Sequence, residues 1–100
     1  MYIPLFTGTG ACDIKDFAIP QGKVVTFTLE NATTDVFEFK AQPAPGTSGF
    51  SITDAQDAID ATKKIINAAN NLRSLYGPQV VNIVRIAGTS DVTLHLTVSA

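Results

Sequence analysis

Residues Asp54 to Tyr76 read DAQDAIDATKKIINAANNLRSLY, and the period assigned to this stretch decides the fold. At about 100° per residue, Ala55, Ala58, Ile59, Thr62, Ile65, Ile66, Ala69, Leu72 and Tyr76 share one broad stripe. Asp57, Asp60, Lys63, Lys64, Asn67, Asn70, Asn71 and Ser74 fall opposite. Thr53 followed by Gln56 makes a capping box. Asp54, Asp57 and Asp60 complement the positive end of a helix dipole, and Arg73 the negative end. Gly77-Pro78 supplies a stop. The pattern predicts one long amphipathic helix, with Ile59, Ile66, Ala69 and Leu72 facing the core.

Outside this stretch the period is two. Lys23 to Glu30 (KVVTFTLE) sets Val25, Phe27 and Leu29 against Val24, Thr26 and Thr28. Asp35 to Ala41 (DVFEFKA) sets Phe37, Phe39 and Ala41 against Val36, Glu38 and Lys40. Such alternation reads as half-buried strands, and the short gap Asn31 to Thr34 predicts a hairpin. Tyr2 to Thr7 and Asp13 to Ile19 are weaker strands that Pro4 and Pro20 push toward sheet edges. Gln79 to Ala87 (QVVNIVRIA) is apolar on both faces except at Asn82 and Arg85, which suggests an interior strand. In Asp91 to Ser99, Val92, Leu94, Leu96 and Val98 share one face, and Gly88-Thr89-Ser90 links the last two strands as a hairpin.

The expected fold is therefore α+β. An antiparallel sheet of about four to six strands carries the long helix, inserted before a C-terminal hairpin, across one face. A β-sandwich with a helical insertion is the alternative. The chain has 100 residues, the size of a single domain spanning residues 1–100.

Composition narrows the function classes. Charged residues make up 16% of the chain, against about a quarter in ordinary soluble domains. The seven basic residues are scattered, so no stripe exists to displace counterions from nucleic acid or to hold an anionic membrane surface. No apolar run reaches the roughly 18 residues of a spanning helix. The opening MYIPLFTGTGAC has no basic n-region and no long apolar core, so no secretory signal is expected. That points to the cytoplasm of the producing cell or to a virion.

Catalytic and metal chemistry finds little to work with. A nucleophile–base pair requires Cys12 with His95, oriented by Asp13, Asp16 or Asp91. The alternative makes Cys12 a small buried hydrophobe and His95 a residue among threonines on a sheet face. One Cys and one His cannot complete a zinc or blue-copper ligand set. Asp54, Asp57 and Asp60 lack the spacing of a calcium loop. Thr7-Gly8-Thr9-Gly10 is followed by no Lys-Ser or Lys-Thr and is not a phosphate cradle. Asn31-Ala32-Thr33 matches a glycosylation acceptor in a turn. No catalytic, cofactor or metal residues are assigned.

What remains is the surface. Twelve threonines stand against two glutamates. Charge-poor, hydroxyl-rich surfaces suit packing against other subunits better than a free existence. The expectation is a non-enzymatic subunit of a larger homomeric assembly, of the accessory or cement type in a virus-like particle. Its partners are copies of itself or other subunits, with no nucleic acid and no membrane. The alternative is a small binding module for a peptide, glycan or small ligand. The segment Gln42 to Phe50 (QPAPGTSGF) joins stiffening prolines to a large apolar residue, which makes Pro43, Pro45 and Phe50 the expected partner contact.

Overall fold

Alternating burial runs through the third strand, where Val25, Phe27 and Leu29 are buried and Val24, Thr26 and Thr28 face outward. The computed structural model describes residues 3–49 and 65–99. They form β1 (Ile3–Gly8), β2 (Asp13–Ile19), β3 (Val24–Glu30), β4 (Val36–Ala41), β5 (Ile65–Asn67), β6 (Leu72–Tyr76), β7 (Gln79–Ala87) and β8 (Val92–Ser99). Sheet I has the order β1-β8-β3-β6, and sheet II the order β2-β7-β4-β5. All neighbours are antiparallel.

The pairing is nested. β1 pairs with β8, β2 with β7, β3 with β6 and β4 with β5. The chain is thus one antiparallel ribbon, doubled back between β4 and β5 and rolled so that successive pairs alternate between the sheets. The β3–β8 and β4–β7 ladders close the roll. Eight strands rolled in this way form a jelly roll.

The α+β expectation is corrected. Among the described residues there is no helix, and a second four-stranded sheet, as in the sandwich alternative, stands where the helix-covered sheet placed the helix. Residues 65–76 of the predicted helix are β5, a turn through Ala68–Asn71, and β6. Ile65-Ile66 is β-branched and suits a pleated surface better than a helix. The asparagines at 67, 70 and 71 favour a turn, and the Asn67 side chain accepts a bond from the Asn70 amide (2.8 Å). Ile66 is buried as expected, but Leu72 and Ala69 are exposed. Residues 54–64, with Ile59 and the three aspartates, lie outside the described residues.

Both predicted hairpins are corrected too. β3 and β4 belong to different sheets, as do β7 and β8. β3, β4 and β8 each turn an apolar face inward, and crossing to the opposite sheet brings two such faces together. Phe27 of sheet I meets Phe39 of sheet II with ring centroids 4.7 Å apart, and Phe17 at 5.7 Å. Phe6 meets Phe37 edge-on at 5.8 Å. β1 and β2 are edge strands and β7 is interior.

One buried ion pair ties three connections at the same end of the roll. Arg85 donates through Nη1 to Gly8 O (3.1 Å) and Gly10 O (3.2 Å), and through Nη2 to Ser90 O (2.7 Å) and Asp35. The Asp35 carboxylate also accepts the Thr33 and Ser90 amides, each at 3.0 Å. The guanidinium lies over the rings of Phe6 and Phe37. Every acceptor bond to Asp35 favours its anion. The Thr33 amide, then Arg85 and Ser90, hold it well below the usual carboxylate range against the opposing effect of burial.

Candidate functional site

The segment after β4 is held by side chains of sheet II. The β2–β7 register shifts between Ile14 and Phe17, and inside that bulge Asp16 takes a left-handed backbone (φ 61°). A bulge redirects a side chain, and aspartate tolerates this conformation better than most residues. The redirected carboxylate accepts Gln42 Nε2 (2.5 Å) and the Gly46 amide (2.9 Å) on Oδ1, while Gln42 Oε1 accepts the Asp16 amide (2.7 Å). Further along, the Gly49 amide donates to Asn82 Oδ1 (2.8 Å). The approach is close, because a Cβ at Gly49 would lie 2.7 Å from Lys40 Cβ and 2.9 Å from Asn82 Cβ.

Asn82 is buried beneath this crossing on the outward side of β7. Its Nδ2 donates to Asp13 Oδ1 (2.7 Å) and Ile14 O (2.9 Å). That bond, with Lys15 beside it, lowers the Asp13 pKa. Its sequence signal was a lone amide in an apolar run. The anchored segment leaves a cleft of about 400 Å³ lined by Asp16, Gln42, Pro43, Ala44, Pro45 and Val80. Two of the three expected contact residues, Pro43 and Pro45, therefore line one concave surface. Phe50 lies outside the described residues. Sequence reasoning weighed Asp16 only as a partner for His95, because a left-handed bulge has no signature in residue type.

Sheet I presents a different surface. Register places Leu72, Thr28, His95 and Pro4 in one row across its outward face, and Ser74, Thr26 and Thr97 in the next. Tyr76, Val24 and Ser99 form a third row, and Glu30, Thr93 and Thr7 a fourth. Hydroxyls bond across strands, Thr26 to Ser74 at 2.9 Å and Thr7 to Thr93 at 3.1 Å. Glu30 is the one acidic residue in these rows and lies 3.2 Å from His95; no Lys or Arg occupies them. Tyr76 is 67% exposed and Leu72 54%. The strands of sheet II, in contrast, carry Asp13, Lys15, Asp16, Glu38, Lys40 and Arg85.

The structure does not bring Cys12 and His95 together. Cys12 is buried in the core cluster, with its thiol against Ile83 O (3.8 Å), and burial pushes its pKa up to about 11. His95 lies on the outward face of sheet I, because its neighbours Leu94 and Leu96 point inward. Gly8 and Gly10 serve Arg85 through their carbonyls. Asn31 is exposed with a left-handed backbone (φ 65°), and the Thr33 hydroxyl is bonded to Ser90 (2.7 Å). No group of three or more His, Cys, Asp or Glu among the described residues is arranged to hold a metal ion. No protein-family model, no curated protein and no solved structure matches this chain.

Proposed function

We propose that the protein is a non-enzymatic structural subunit that packs into a larger assembly, of the accessory coat type in a virus-like particle. The observation that carries this reading is the outward face of sheet I. It spans four strands, carries hydroxyls and the apolar Leu72 and Tyr76, and holds one acidic residue with His95 beside it. Interface centres are depleted in charge and enriched in aromatic residues. Two such faces meet without like-charge repulsion, as an isologous contact requires. Jelly rolls serve as viral coat domains, lectins and cupins, so the fold is compatible with the reading but does not select it.

Sedimentation velocity over a concentration series tests it, paired with co-sedimentation with the particulate fraction of the native source. Larger species or particle binding, lost in Thr26→Lys and Thr97→Lys with the β spectrum intact, is the expected result. A strict monomer that stays out of the particulate fraction overturns the proposal.

A further inference from the structure

The cleft on sheet II is lined by apolar walls, the Gln42 amide and one carboxylate. Pro43, Ala44, Pro45 and Val80 form the walls, and no Lys or Arg lines it. Asp16 Oδ1 is taken by Gln42 Nε2 and the Gly46 amide, while Oδ2 has no hydrogen-bond partner among the described residues. The adjacent Lys15 pairs with Asp13 instead, at 3.0 Å. The cleft thus holds a fixed negative charge without a counter-ion from the described residues. Two prolines and the reciprocal Asp16–Gln42 bonds set its shape in advance, which lowers the ordering cost of binding.

We propose that this cleft receives a lysine side chain presented by an extended segment of a partner protein. A lysine combines a four-carbon apolar stem with a compact ammonium, matching a cleft whose lining joins proline and valine side chains to the Asp16 carboxylate. Arginine fits less well, because its planar fork is best met by both oxygens of a carboxylate and one is already occupied. The site lies on sheet II and is independent of the assembly face on sheet I.

The test is an amide NMR titration of the full chain with the blocked tripeptide acetyl-Ala-Lys-Ala-amide. The same peptide carrying norleucine and the neutral sugar glucose are run in parallel. The expected result is shifts confined to Asp16, Gln42, Ala44, Gly46 and Val80, with a response at least tenfold weaker for norleucine. Asp16→Asn retains Oδ1 and tolerates the left-handed backbone, so it removes the charge and little else. It should weaken lysine binding by at least the same factor. An equal response to norleucine, unchanged binding in Asp16→Asn, shifts from glucose alone, or no localised shifts each overturn the proposal.

Discussion

A Cβ placed on Gly88 would overlap the carboxylate of Asp35. Gly88 also has a positive φ of 88°, so the connection between β7 and β8 excludes a side chain on two counts. The close approach lets Ser90 reach Asp35 and Arg85 at the same time. Gly88→Ala should therefore lower stability by about 1–3 kcal/mol from backbone strain, with more from displacing the ion pair. Chemical denaturation checks this, and a variant as stable as the parent contradicts the geometry.

Asp35 should also make the fold acid-sensitive. Its folded pKa lies below the unfolded value of about 3.9, so its stabilisation is complete above that value and is lost as pH falls through the folded pKa. Melting temperature should decline from about pH 5 downward and keep declining below the usual carboxylate range. Asp35→Asn should start lower and show a flatter acid limb. An acid limb of the same slope in the variant would place the linkage on another group.

Cys12 titrates in the opposite sense. Burial raises its folded pKa to about 11, so the stability it contributes is full below the unfolded value of about 8.5 and fades as pH climbs toward 11. At pH 8 the native thiol should react with a thiol-exchange reagent far more slowly than the unfolded chain does. Rapid labelling of the folded protein would show that the thiol is open to solvent.

Ile66 and Leu72 separate the two readings of the central stretch. A helical stripe places both in the core, whereas the strands bury Ile66 completely and leave Leu72 on the outward face. Ile66→Ala should cost about 2–5 kcal/mol, and Leu72→Ala only about 0.5 kcal/mol. Equal losses in urea unfolding would favour the helical stripe.

β7 was legible because its run is apolar on both faces, and β3, β4 and β8 because their inward and outward residues differ in polarity. β6 reverses that contrast. Its outward residues are Leu72, Ser74 and Tyr76, and its inward ones are Arg73 and Leu75. The arginine is tolerated because its Nε donates to Ile65 O (2.9 Å), bridging the edge strands of the two sheets. An inward arginine and an outward leucine erase the period-two signal, so the 3.6-residue stripe prevailed. The partner strands were hidden for another reason: a hairpin and a crossing to the opposite sheet use the same short turn. Pro43 and Pro45 could be singled out by their stiffness, whereas Asp16 and Asn82 gain their roles only when β2 and β7 lie side by side.

The nested pairing has a mechanical consequence. Ile3 lies opposite Leu96, so the outer ends of β1 and β8 emerge at the same end of one antiparallel ladder. Tension applied through residues 3 and 99 loads that ladder one hydrogen bond at a time and peels it open like a zipper, instead of shearing all its bonds together. Resistance to pulling is therefore low along this axis, and the strands yield in nested order: the outermost pair opens before the second, and β4 with β5 comes last.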